Sequence, residues 1–196
     1  MSTIGPNRFR DLLPRFKRDN PGIELALHEG VLEDMARQLD SNNLDLAVLS
    51  SPDSLAETYR TLPLYHERYV VIFAKGHRFE RMPVVRLADV SGEPYVDRLA
   101  CELREMVLSV CEERGVELYA KFRSVREDWV QSMVLAGIGF AIMPEDSVTQ
   151  VGLLSRPLTE PEVSRSVELV WMPGRQFTPA ARAFVNSVRR ENTGAD

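Results

Sequence analysis

Two cysteines, Cys101 and Cys111, are all that this chain has for disulfide bonds, and two do not make the framework of a stapled extracellular domain. A reducing cytoplasm is therefore the default compartment. No apolar run approaches the roughly 20 residues that span a bilayer. The opening MSTIGP lacks the basic and apolar regions of a secretory signal, so no membrane partner is expected. Positive charge is also short. Lys and Arg number 24 against 29 Asp and Glu, the net charge is −5, and no basic stripe stands out, which argues against a non-specific nucleic-acid surface. Arg15, Lys17 and Arg18 read as the solvated face of a helix. The three histidines, His28, His66 and His77, have no ligand spacing with the cysteines, so no metal site is expected. Gly137 and Gly139 stand outside any GxGxxG pattern, and no Ser/His/Asp grouping rises above chance. No catalytic residue and no cofactor is assigned.

A hydrophobic content of 44% supports a normal core, and 196 residues suit one large domain or two small ones. The stretch from Ile23 to Ser51 organises the rest. Ile23, Leu25 and Leu27 alternate with Glu24 and His28, the period of a strand. Leu32, Met35, Ala36 and Leu39 then recur at helical spacing. Leu44 to Leu49 is a short apolar run broken only by Asp45, as in a strand covered on both faces. Strand, helix and strand make a βαβ unit with a parallel sheet. Its loops at Glu29–Gly30 and Ser50–Ser51 lie at strand carboxyl ends, where open α/β sheets hold ligands.

Ahead of this unit, Phe9, Leu12, Leu13 and Phe16 form a helical stripe containing Pro14, which predicts a kink or a short first turn. Asn20-Pro21-Gly22 breaks it. After it come a loop at 51–54, a strand at 59–65 with an edge-type Pro63, and the apolar strand YVVIFA from Tyr69. A short helix at 87–92, a strand at 94–96, a loop at 97–101 and a helix ending at Gly115 follow. A strand at 119–125, a helix ending at Gly137 and a buried strand at 140–143 complete the middle. Strands at 153–158 and 167–172 precede a last helix, with Thr178 as N-cap, Pro179 as its first residue and a frayed tail from Asn192. The middle thus repeats the logic of the beginning. The expected fold is α/β: two Rossmann-like lobes joined by two crossover segments, lobe I being 1–72 and 148–196 and lobe II the inserted 73–147. Two lobes with a cleft describe a hinged binding module.

The segments TIGPNRFRDLLPRFKRDNPGIELALHEG, LDLAVLSSP, LPLYHERYVVIFAKGH, LADVSGEPYV and SMVLAGIGFAIMPE span nearly the whole chain. In this order and spacing they resemble the effector-binding, substrate-binding-like domain of LysR-type transcriptional regulators. The resemblance implies a periplasmic-binding-protein-like (type II) architecture and a small-molecule effector held in the inter-lobe cleft. It also implies side-by-side homodimers through lobe-flanking helices and edge strands, with tetramers in the full-length protein. The family places a winged helix-turn-helix, a linker helix and one further strand before this region. Here only Met1 and Ser2 precede the TIGP segment, so a shortened chain is expected that binds DNA only through a domain outside it.

Candidate site residues follow. Ser2, Thr3 and Ile4 precede the first helix, where free N–H groups and the dipole favour an anion; in the family this loop commonly faces the effector, and Thr3 as a simple cap is the alternative. Gly30, Ser50 and Ser51 sit in the strand-end loops. Arg98 is suited to a bidentate contact with a carboxylate, or to a surface pair with Asp97 or Glu102. Glu127 and Asp128 open a helix and serve as site residues or as caps. Cys101, at an expected helix N-terminus beside Arg98, should have a depressed pKa. CELREMVLSVC resembles the cysteine pair of peroxide-sensing family members, which makes Cys101 and Cys111 redox candidates. In one helix, however, they would lie roughly 15 Å apart, and Cys111 falls on the apolar stripe. An effector sensor, a thiol-based oxidant sensor and a free-standing solute-binding protein are the readings in play.

Overall fold

The computed structural model of the protein describes residues 1–51 and 54–193. Its elements run α1 (Phe9–Asp19), α2 (Leu32–Asp40), β1 (Ala47–Leu49), β2 (Arg60–Phe73), β3 (Val85–Arg86), β4 (Pro94–Arg98), α3 (Arg104–Glu113), β5 (Tyr119–Ser124), α4 (Glu127–Leu135), β6 (Ala141–Pro144), β7 (Leu154–Thr159), β8 (Ser164–Trp171) and α5 (Pro179–Thr193). This is a mixed α/β fold. The loop expected at 51–54 and the tail expected from Asn192 fall in part on 52–53 and 194–196, which lie outside the described residues. Among the described residues no helix is long and apolar enough to cross a membrane.

Two units divide the chain. One comprises Met1, Pro6–His66 and the residues from Ser166 onward; the other comprises Ser2–Gly5 and Glu67–Arg165. The chain passes between them at 1/2, 5/6, 66/67 and 165/166, whereas the lobe limits read from the sequence stand at 72/73 and 147/148. The runs at 59–65 and 69–74, read as two strands, form one continuous strand of 14 residues, β2. No turn residue inside it marks where one unit stops.

In the first unit, α1 runs through Pro14 and buries Leu12 and Phe16. Leu12 meets Leu169 of β8 and Val185 and Val188 of α5, while Phe16 stacks edge-on to Phe184 at 5.0 Å. The short strand β1 pairs antiparallel with β8, from Ala47↔Val170 to Leu49↔Glu168. Ala47 and Leu49 face a cluster with Met35 and Leu39 of α2, and Val48 faces the α1/α5 cluster, so both faces are covered as expected. The strand expected over Ile23–Leu27 is not formed, and the parallel βαβ pairing goes with it. Residues 23–31 carry no ladder hydrogen bonds among the described residues, and Leu25 and Leu27 are 41% and 82% exposed. An alternating pattern becomes a strand only where a neighbouring strand takes its N–H and C=O groups.

In the second unit, the apolar end of β2 is central. Tyr69–Ile72 pairs antiparallel with β6, and Val70–Phe73 pairs antiparallel with β7. Its two faces feed two clusters: Tyr69, Val71 and Phe73 join Phe79, Tyr95 and Phe140, while Val70 and Ile72 join Val96, Val130, Val134 and Met143. β4 pairs parallel with β5, its register shifting at Tyr95/Val96. β4 reaches two residues further than expected, so Asp97 and Arg98 lie on a strand and not in a loop. Gly139 permits the approach of β4: a Cβ there would stand 2.1 Å from the Pro94 carbonyl oxygen.

Candidate functional site

Glu67 and Tyr69 are two residues apart on β2 and so project from the same face. Arg165 stands on the second residue of β8, Glu102 in the turn between β4 and α3, and Thr3 in the Ser2–Gly5 segment. Gly5 lets that segment lie against 146–147, because a Cβ there would be 2.7 Å from the Asp146 carbonyl oxygen. These five side chains form one network. Arg165 Nε donates to Glu67 Oε1 at 2.9 Å, Nη1 to Thr3 Oγ1 at 3.1 Å and to Glu102 Oε1, and Nη2 to the Thr3 carbonyl at 2.9 Å. The Thr3 hydroxyl donates to Glu102 Oε2 at 3.0 Å, and the Tyr69 hydroxyl to Glu102 Oε1 at 3.2 Å. Ser147 Oγ donates to the Thr3 carbonyl at 2.7 Å, and the Asp146 N–H to Glu67 Oε2 at 3.0 Å.

The network is dry: the side chains of Arg165, Glu67 and Glu102 are at most 2% exposed. A charge so placed costs several kcal/mol unless it is paired and hydrogen-bonded. One guanidinium here faces two carboxylates. Burial pushes Glu67 above the usual carboxylate range, and Arg165 offsets this only in part. Burial, which lowers the pKa of Arg165, is outweighed by Glu102, Tyr69 and Glu67, so its charge is held. Tyr69 is raised by burial and by Glu102 and stays a neutral donor.

Beside this network lies a second buried pair. Arg98 donates from Nε to both Glu127 oxygens at 3.1 and 3.0 Å, from Nη2 to Oε1 at 2.9 Å, and from Nη1 to the Ile142 carbonyl at 3.2 Å. Its carboxylate partner is thus Glu127, neither Asp97 nor Glu102. Asp97 is taken by Arg104 at 2.7 Å and by Arg123 at 3.4 Å.

Cys101 corrects its expectation. α3 begins at Arg104, so the thiol lies in the turn before the helix, 3.9 Å from the Tyr69 hydroxyl. Burial pushes its pKa up; Arg98 opposes this and is outweighed. The thiol borders a small cavity of about 10 Å³ lined by Tyr69, Tyr95, Arg98, Arg104 and Val107, which is room for one water. Cys111 is buried on α3 and is likewise raised by burial.

The structure therefore brings Thr3, Arg98, Cys101 and Glu127 into one unit, with Tyr69 and Glu102 linking the thiol to Thr3. Ser2 and Ile4 flank Thr3 and are half-buried. Gly30, Ser50 and Ser51 belong to the other unit. There Ser50 is fully buried at the end of β1, and its hydroxyl has no hydrogen-bond partner among the described residues. Sequence reasoning missed Arg165, Glu67 and Tyr69. Glu67 and Tyr69 carried one weak signal, polar groups on one face at the start of an apolar strand. Arg165 lies 98 positions from Glu67 and carried none.

Comparison with known proteins concerns the chain as a whole. A family model described as LysR substrate binding domain matches residues 1–193. The hydrogen peroxide-inducible genes activator of Dickeya chrysanthemi is 28% identical over 193 residues, covering 95% of this chain and 63% of that protein. HinK, a LysR family transcriptional regulator from Pseudomonas aeruginosa, superposes with a TM-score of 0.78 at 29% identity over 92% of this chain and 64% of its own. The oxidized form of OxyR superposes with a TM-score of 0.77 at 26% identity, covering 99% and 93% of the two chains. The chain spans under two thirds of the length of the first two. With a match from end to end of its described residues, this chain belongs to the LysR substrate-binding domain family.

Proposed function

We propose that this domain is the ligand-sensing part of a LysR-type transcriptional regulator, that its effector is a small anion, and that it acts as a homodimer on a DNA-binding part outside this chain. The carrying observation is the donor set of Thr3, Tyr69 and Arg165, which converges in a dry site on one carboxylate. Buried, preorganised donors of this kind recognise an anion far better than exposed ones do. An effector acts by favouring one conformation over another, and the shift is as large as its difference in affinity for the two. The test is thermal melting with a panel of small organic acids and amino acids. A ligand at about 100 times its dissociation constant adds roughly 2.7 kcal/mol, which is a readily measured shift. No shift with any acid at millimolar concentration would remove the anionic effector.

A second reading, a thiol-based oxidant sensor, is favoured by the cavity beside Cys101 and by the relative named for peroxide induction. Peroxide included in the same melting screen separates the two. A peroxide-dependent shift that vanishes in Cys101→Ser makes the thiol the sensor.

A further inference from the structure

We propose that Glu102 is a tethered ligand. Its carboxylate fills the anion site of Thr3, Tyr69 and Arg165 from within the chain, and a free small carboxylate binds there when the Glu102 carboxylate is absent or withdrawn. The inference rests on the reading of this donor set as the effector's.

The site is complete without any outside molecule. Glu102 Oε2 takes the Thr3 hydroxyl; Oε1 takes the Tyr69 hydroxyl and Arg165 Nη1. Two oxygens with three donors from three separate segments is what a bound carboxylate ligand would show. Charge balance does not require this occupant. Arg165 already has a dedicated counter-ion in Glu67, which accepts from Nε at 2.9 Å and lies 2.8 Å from Nη2. Glu102 is therefore a second carboxylate on the same guanidinium, held by the same contacts a soluble acid would make. Its attachment also suits release. Glu67 and Arg165 stand on strands, whereas Glu102 stands in an irregular turn between β4 and α3. Among the described residues that turn is tied by Leu99 N to Ser124 O at 3.0 Å, Cys101 N to Arg98 O at 3.2 Å, Arg104 N to Cys101 O at 3.1 Å and Val107 N to Leu103 O at 2.9 Å. Its neighbour Leu99 is exposed. The occupant defines the ligand class, since the group removed by Glu102→Ala has the size and charge of acetate.

The experiment melts wild type and Glu102→Ala in sodium acetate and in sodium chloride of equal ionic strength at neutral pH. Wild type should respond to the two salts alike. Glu102→Ala should melt lower in chloride and gain about 3–6 °C in acetate at ten times the dissociation constant. Adding Thr3→Val to Glu102→Ala should abolish the gain. An acetate response no larger than that of wild type overturns the proposal. If Glu102→Ala folds only in acetate, the proposal is supported. If it folds in neither salt, Glu102→Ser decides, since it too vacates the site but keeps a short polar group there. Acetate should stabilise this variant more than wild type, and equal responses overturn the proposal. The effector reading fails separately. An acid that stabilises wild type beside an acetate-indifferent Glu102→Ala rejects the tethered ligand alone. An acetate-responsive Glu102→Ala with wild type indifferent to every acid supports the tether and rejects the anionic effector.

Discussion

Arg98 and Glu127, 29 positions apart, meet as a buried fork in which three guanidinium hydrogen bonds fall on one carboxylate. Removing one partner of such a pair leaves the other charge uncompensated, which typically costs about 3–5 kcal/mol, whereas replacing both with apolar groups of similar size is close to neutral. Glu127→Met and Arg98→Met alone should therefore each destabilise the domain by about that amount, and the two together by much less. Urea denaturation of the four members of the cycle measures the coupling. A strictly additive cycle would show that the fork contributes nothing to stability and would return Arg98 to the list of residues available to an outside carboxylate.

His77 predicts an acid dependence. Its ring packs at 4.3 Å from Phe79 and 5.6 Å from Phe73, and its Nδ1 accepts from the Phe79 N–H at 3.3 Å. Burial lowers its pKa below the usual 6.5; Glu93 opposes this, and Arg78 adds to it. A base with a depressed folded-state pKa binds protons more readily when unfolded. Its stabilising contribution is thus complete above 6.5 and is lost as pH falls through its folded value. His77→Asn keeps an acceptor for the Phe79 N–H and does not titrate. Its melting temperature should fall less than that of wild type when pH is lowered from neutral into the acid range. Parallel curves would rule out His77 as the source.

How much of this was legible beforehand depended on distance along the chain. Local signals read well: the α1 stripe, the Thr178 cap whose hydroxyl accepts the Ala181 N–H at 3.1 Å, and the glycine stops at Gly115 and Gly137, both with positive φ. The pattern at Ile23–Leu27 misled, because alternation records a face and not a partner. The resemblance located Thr3 without its neighbours. That its hydroxyl is bound to Glu102 and Arg165, 99 and 162 positions away, is a fact of tertiary contact that no spacing rule carries. Cys101 failed for a related reason: a cation beside a thiol lowers its pKa only if burial does not raise it more, and burial is not written in the local sequence.

The raised pKa of Cys101 sets its reactivity. At neutral pH little thiolate is present, so carbamidomethylation by iodoacetamide should be slower than for free cysteine. Cys111, more deeply buried, should label later still. Timed alkylation read by peptide mass spectrometry tests both statements. Labelling of Cys101 faster than free cysteine would mean that Arg98 outweighs burial. A disulfide between the two faces a further barrier. Cys111 is seven residues into α3 from Arg104, a rise of about 10 Å, so the helix must unwind before the sulfurs meet.

The proposed homodimer has a specific face to test. β5 pairs with β4 alone among the described residues, which leaves its other edge open. Next to that edge Phe122 and Trp129 stack with ring centroids 6.4 Å apart and planes 14° from parallel, and Trp129 is 47% exposed. Tyr119 on the same strand and Val125 just after it are also exposed. Open strand edges and exposed aromatic residues are costly in water and are favoured in the centre of protein interfaces. Because Trp129 is half-exposed, Trp129→Glu should change the melting temperature little at a concentration where the protein is monomeric. In a dimer it should act as an anchor, and its loss should weaken self-association by about thirtyfold or more, as for a residue contributing 2 kcal/mol. Sedimentation equilibrium of the two proteins over a range of concentrations gives the constants. Equal constants would exclude this face, and the exposed Leu25 and Leu27 of the other unit would then be the surface to substitute next.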